Sequence, residues 1–333
     1  MKSKQTILIK SKSYEETTDR VLEWLAADGW EFIRINEDNP ILSIELMLNN
    51  QNADHPAVHL KFKNGKVVNS EDIKCFWARR GRFKLDWDWT SIKEKIGHLL
   101  TYRGSLYEEL EKEWTTLECF LMNTFADKEN GLSNPAKEDF NKPEVLKLAA
   151  STGLKIPPTI ITNQKSVLEE YAGNLITKAL SEAVSMQLEG EELYALTKRL
   201  ETTETEKLND SFFPSYFQHG IDKDFEVRAF YLNGGFYAMA IFSQLDGQTM
   251  DDFRAYNTEK PNRNVPFILP EEIRDKLITL MQILELNTAS VDLIVDRSGE
   301  YYFLEVNPVG QFGMVSEPCN YYLEKKVAEH LAS

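Results

Sequence analysis

Apolar residues recur at two periods along this chain, and each change of period marks a boundary between elements. Thr6-Ile-Leu-Ile9 and Glu31-Phe-Ile-Arg-Ile35 are short strand-like runs. Between them Val21, Leu22, Trp24 and Leu25 form one stripe, which predicts a helix over Tyr14 to Ala27. Ile41 to Leu48 and Ala57 to Phe62 alternate, and Asn64-Gly65 signals a hairpin ahead of Lys66-Val-Val68. Ile73 to Ala78 is a further strand, ending at Arg79-Arg80, and a helix is expected from about Gly104 to Phe125. These elements predict a β/α domain over residues 1–125.

The second part follows a different order. Asn130 to Pro135 is a loop, and Asn141 to Ser151 reads as a helix with Pro143 in its first turn, where proline is tolerated. Thr159 to Thr162 and Asn174 to Lys178 read as strands on either side of a short helix, Val167 to Ala172. Glu189 to Asp210 is acidic, rich in threonine and poor in apolar residues, so an exposed excursion is expected there. Strands follow at Ser215 to Gln218, Phe225 to Leu232 and Phe236 to Ser243, the last two joined at Asn233-Gly-Gly235. Helices are expected at Ile273 to Leu286 and Tyr321 to Leu331. The division is then a central subdomain over 126–210 and a C-terminal one over 211–333.

The chemistry is densest near the end. Ser290-Val-Asp292-Leu-Ile-Val-Asp296 and Tyr301-Tyr-Phe-Leu-Glu305-Val-Asn307-Pro308 are two strands across a turn at Ser298-Gly299. Side chains alternate faces along a strand, so Glu305 and Asn307 share one, and pairing across the turn brings Asp292 beside them. Oxygen ligands of this kind suit Mg²⁺, which takes a few carboxylates together with nucleotide phosphates. Lys142 at a helix start, Lys178 at a strand end, Arg228 within a strand and Arg254 downstream supply the cations for a triphosphate clamp. For Arg228 the structural alternative is pairing with Glu226 or Asp224. The glycine-rich P-loop and the dinucleotide fingerprint are both absent.

Composition narrows the field. The net charge of −15 argues against general nucleic-acid binding, which needs a basic face. Cys75, Cys119 and Cys319 have no metal-like spacing, and a sparse, odd count predicts reduced thiols in the cytoplasm. Neither a signal peptide nor a membrane span is expected.

The order of lysine, lysine, a Gln218-to-Arg228 segment, Asp292 and then Glu305-Val-Asn307-Pro308 resembles the ATP-grasp ligases. The resemblance covers roughly residues 130–330, with 1–125 as the variable N-terminal domain. Phe303 to Gly313, Cys319-Asn-Tyr-Tyr322 and Phe76-Trp-Ala-Arg-Arg80 are similar to the branch that matures graspetides, the microviridin-type and grasp-with-spasm enzymes. The resemblance implies an α/β ATP-grasp fold, ATP and Mg²⁺. It implies that Asp292, Glu305 and Asn307 hold the metal, with Lys142, Lys178 and Gln218 on the nucleotide. Arg228 would stabilise the transferring phosphoryl group or acyl phosphate, and Arg254 would contact the same group or the acceptor carboxylate. It further implies a homodimer acting on a ribosomally made precursor peptide. Asp or Glu side chains of that peptide become acyl phosphates, which Thr, Ser or Lys side chains attack to give esters or amides. The alternative is a ligase of the same fold that adds free amino acids to a protein tail or a small molecule. A third possibility is a peptide-binding module without turnover.

Overall fold

The computed structural model describes residues 5–87, 103–133, 140–171, 174–181, 185–188, 191–194, 197–243 and 262–333. The chain forms two compact units, one from residues 1–139, 286–288 and 322–333, the other from 140–285 and 289–321.

The first unit is built on a parallel sheet in the order β2-β1-β6, where β1 is Thr6–Lys10, β2 Phe32–Ile35 and β6 Ile73–Ala78. Parallel strands are covered on both faces, which is why β1 is a continuous apolar run and Ile7, Leu8 and Ile9 are wholly buried. Helix α1, Glu16–Ala27, connects β1 to β2 and packs against the helix Leu323–Ala332. A second, antiparallel sheet joins β3 (Ile41–Met47), β4 (Ala57–Phe62) and β5 (Val67–Asn69). Its inner residues meet Leu8 and Phe76 in one core, which helix α2 (Arg103–Ala126) completes with Leu121 and Phe125.

Arg79 lies just past β6 and is 1% exposed, 3.3 Å from Glu15 and stacked 5.8 Å from the Trp77 ring centre. Burial pushes its guanidinium down to about 10, against the pull of Glu15. Glu15 is also the N-cap of α1, accepting from the Thr18 amide at 2.8 Å. Burial alone would raise the Glu15 carboxyl, but Arg79 and the two Thr18 hydrogen bonds outweigh it and hold it below its ordinary range. A carboxylate depressed in the folded state stabilises above its unfolded pKa, and that stability is lost as pH falls through the depressed value. Glu15→Ala is therefore expected to cost more at neutral pH than the about 1 kcal/mol of a helix cap, because buried Arg79 also loses its counter-charge. Urea unfolding should show the cost shrinking below about pH 4, and a cost constant with pH would contradict it.

The second unit holds two sheets. The first runs β11-β8-β12-β7, with β7 Thr159–Gln164, β8 Leu175–Lys178, β11 Lys198–Leu200 and β12 Ser211–His219. Helix α3, Lys142–Ser151, starts at Asn141, whose side chain accepts from the Glu144 amide at 3.1 Å, with Pro143 in the first turn. The stretch 189–210, expected as an exposed polar excursion, has no buried residue among those described, and it is organised into short elements. It contains strand Glu191–Tyr194, paired with Ser185–Leu188, then β11 on the edge of the sheet and a short helix, Thr202–Glu206. Leu200 and Leu208 from this stretch pack on Leu168, Leu175 and Phe217. An edge strand needs only one well-buried side, so sparse apolar residues suffice.

The second sheet runs β15-β14-β13-β16-β17, with β13 Lys223–Leu232, β14 Gly235–Phe242, β15 Arg263–Phe267, β16 Thr288–Asp296 and β17 Tyr301–Asn307. Asn233 and Gly234 have φ +41° and +95°, the left-handed pair that a tight hairpin needs between β13 and β14. β15 went unrecognised in the sequence because it is a short edge strand interrupted by Pro266. Helix Gly313–Cys319, with Pro318 inside it, was likewise not expected. Gly310 has φ +62°, and a Cβ there would stand 3.3 Å from the Ala289 carbonyl carbon, so the turn after β17 closes directly against β16.

Candidate active site

The site grows from the β16–β17 ladder. Asp292 lies opposite Glu305 and Ser290 opposite Asn307, so the three expected ligands share one face of adjacent strands. The ladder shifts register between Asp292 and Leu293, a local irregularity at the site itself. The Asn307 side-chain oxygen accepts from the Gly310 amide at 3.3 Å, which orients the amide while leaving a second lone pair. Two carboxylates and one amide oxygen match what Mg²⁺ takes from a protein when phosphates and water complete its shell. Among the described residues no group of three or more His, Cys, Asp or Glu could hold a metal ion.

Arg228 reaches this ladder from β13. Its Nη1 lies 3.2 Å and 3.1 Å from the two oxygens of Asp292, and both side chains are buried. The structural alternative for Arg228, a pair with Glu226 or Asp224, does not form. Glu226 instead accepts from the Lys223 ammonium and, at 3.3 Å, from the Ser243 hydroxyl. Lys178, at the end of β8, stands 3.6 Å from Glu305. Cations of two different elements thus meet the two carboxylates expected to bind metal.

A narrow cleft of about 70 Å³ runs between the two sheets of this unit. Ile176, Lys178 and Gln218 line it from one sheet, and Glu226, Asp292 and Glu305 from the other. Gln218 is buried, and its Nε2 donates to the Tyr216 hydroxyl at 2.9 Å and to the Thr159 hydroxyl at 3.2 Å. Ile221 lines the cleft as well. Phe217 turns to the opposite side and packs in the Leu168–Leu175 cluster. Lys142 does not line this cleft. It lines a second, open one of about 720 Å³ that shares Lys178 with the first. Its ammonium donates to the Ala179 and Ser181 carbonyls at 3.0 Å and 2.5 Å, so α3 is tied to the loop that follows Lys178. Arg254 lies outside the described residues.

Glu226 and Tyr216 were not singled out from the sequence as site residues, and both border the clefts. For Tyr216 the signal was available. It sits two positions before Gln218 on the same strand, and alternation places both side chains on one face.

No family model and no curated protein sequence matches the chain. Solved structures do. A RiPP-associated ATP-grasp ligase of Chryseobacterium gregarium, in complex with ADP and a leader and core peptide, superposes with a TM-score of 0.79. It is 25% identical, over 98% of this chain and 95% of that one. The fold is that of the ATP-grasp ligases. The macrocyclase MdnC of Microcystis aeruginosa MRC, bound with precursor peptide MdnA, matches at TM-score 0.74 and 24% identity, over 98% of this chain and 99% of that one. The ATP-grasp ligase PsnB, complexed with a phosphomimetic variant of a minimal precursor, Mg and ADP, matches at 0.67 and 17% identity over 98% of both chains. At these lower identities the likeness speaks for the ATP-grasp fold alone. No helix among the described residues is long and apolar enough to cross a membrane.

Proposed function

We propose that this chain is an ATP-dependent macrocyclase that joins side chains within a ribosomally made precursor peptide. The observation that carries the reading is the convergence of Asp292, Glu305, Lys178, Arg228 and Gln218 within the second unit of an ATP-grasp fold. The likeness to a ligase complexed with ADP, leader and core peptide supports the choice of substrate.

In this reading Asp292, Glu305 and Asn307 would hold Mg²⁺, which would supply charge neutralisation to the phosphates. Lys178 and Lys142 take the phosphates. Lys178 is placed to exchange its contact with Glu305 for a phosphate oxygen, and Lys142 to exchange its two loop carbonyls. Gln218 marks the base end of the cleft. Arg228 sits where negative charge builds as the phosphoryl group passes to an Asp or Glu side chain, and Arg254 serves the same step. A Thr or Ser hydroxyl or a Lys amine of the same peptide then displaces phosphate, leaving an ester or an amide. The reading carries with it a microviridin-like product, a cytoplasmic homodimer and the division of the chain at 1–125, 126–210 and 211–333.

The test is mass spectrometry of a candidate precursor peptide, one encoded beside this protein, after incubation with ATP and Mg²⁺. The expected result is successive losses of one water, each matched by one ADP, with mild base then separating esters from amides. ADP formed only when free amino acids are added, with no dehydrated peptide, would move the activity to the free-substrate ligases.

A further inference from the structure

Tyr216 joins the two ends of the proposed nucleotide site. It is 1% exposed and lies directly opposite Lys178 in the antiparallel pairing of β12 with β8, so both side chains leave the same face. The Lys178 ammonium is 5.6 Å from the centre of the Tyr216 ring, inside the roughly 6 Å over which a ring's negative face attracts a cation. The hydroxyl of that same ring accepts from Gln218 Nε2 at 2.9 Å. Gln218 is two positions further along β12 and opposite Ile176, whose side chain also lines the narrow cleft. One rigid side chain therefore touches the lysine at the phosphate end through its face and the amide at the base end through its hydroxyl. Tyrosine is suited to this because it has only two side-chain torsions and combines an apolar, polarised face with a polar tip. Burial, together with the charge of Glu305, raises its phenol further above neutrality, so the hydroxyl stays protonated throughout the working range.

We propose that Tyr216 is a positioning residue for nucleotide binding: its ring fixes the Lys178 ammonium and its hydroxyl fixes Gln218, so that the phosphate and base contacts are held at a set span. This rests on the proposed nucleotide site. A flexible lysine otherwise loses rotamer freedom each time it engages a phosphate, and a ring that holds it beforehand lowers that cost.

The test is calorimetric titration with Mg·ADP, which reports binding without turnover. Tyr216→Met, which removes the π face, is expected to weaken Mg·ADP about tenfold, whereas Tyr216→Phe, which keeps it, stays within about threefold. Lys178→Met weakens binding as well. The Tyr216→Met/Lys178→Met protein is then weaker than Lys178→Met by no more than the roughly threefold that loss of the hydroxyl costs, because the ring acts through the lysine. Additive losses in the double variant, or equal losses from Met and Phe, would overturn the proposal, since a purely structural role predicts either. Mono-, di- and trifluorophenylalanine at position 216 keep the shape while weakening the ring face, so folding does not obscure the result. Affinity should fall stepwise along that series, and a flat series overturns the proposal. If the unaltered protein fails to bind Mg·ADP, the nucleotide site itself is wrong and this inference falls with it. If it binds and the Tyr216 variants match it, only the inference falls.

Discussion

Asp292→Ala is expected to end measurable ADP production and, separately, to destabilise the second unit. The two effects have different origins. Asp292 is one of the two carboxylates that face each other on the β16–β17 ladder and are proposed to hold the metal. Removing one group that manages charge at a phosphoryl-transfer site costs about a hundred- to a thousandfold in turnover. It is also the buried partner of Arg228, at 3.1 Å and 3.2 Å. Truncating one member of such a pair leaves a charge without compensation in a medium that solvates it poorly, at a cost of about 3 to 5 kcal/mol. A companion variant separates the two effects. Replacing both members, as Arg228→Met/Asp292→Leu, removes the stranded charge and should recover much of the stability without recovering any activity. Coupled ADP assays and urea unfolding on the same preparations read both quantities. Normal ADP production from Asp292→Ala would remove Asp292 from the site. A double variant no more stable than the single would show that Arg228 is compensated by other groups.

Lys223→Met is expected to lower stability by about 3 kcal/mol, read as a fall in the urea midpoint with unchanged slope. Lys223 and Glu226 are 6% and 5% exposed, and their charged groups are in direct contact. In the variant Glu226 keeps the Ser243 hydroxyl but loses the Lys223 ammonium. The carboxylate must then either remain charged in the interior or take up a proton, and both reduce stability at neutral pH. Lys223→Met/Glu226→Leu should regain most of the loss, giving a coupling of about 2 kcal/mol or more between the two positions. Singles and double that simply add would mean that the pair contributes nothing as a pair. Glu226 also lines the narrow cleft, so the same variants report through Mg·ADP affinity whether this carboxylate matters to the nucleotide site.

Much of this architecture was legible in the residues. Strands β4 and β6 fall within the limits that alternation and apolar runs predict, and the β13–β14 and β16–β17 hairpins turn where Asn-Gly-Gly and Ser-Gly place them. These features depend on residues a few positions apart, so local propensity is enough to specify them. Edge elements were not legible. β11 and β15 carry Lys198, Arg199, Arg263 and Pro266 because an edge strand needs neither a full set of ladder hydrogen bonds nor two buried faces. Lys223 and Glu226 would face apart in a regular strand, so nothing in the sequence announces that they pair.

By itself, then, the sequence determined the strands, their turns and the placing of Asp292, Glu305 and Asn307 on one face, because strand periodicity and a short turn settle which way those side chains point. Only the tertiary structure decided which cations meet them. Arg228 is 64 positions from Asp292, and Lys178 reaches Glu305 from a different sheet. Contacts over such separations follow from the order of strands within a sheet and from how two sheets face each other. That choice is made by the burial of whole faces rather than by any short run of residues.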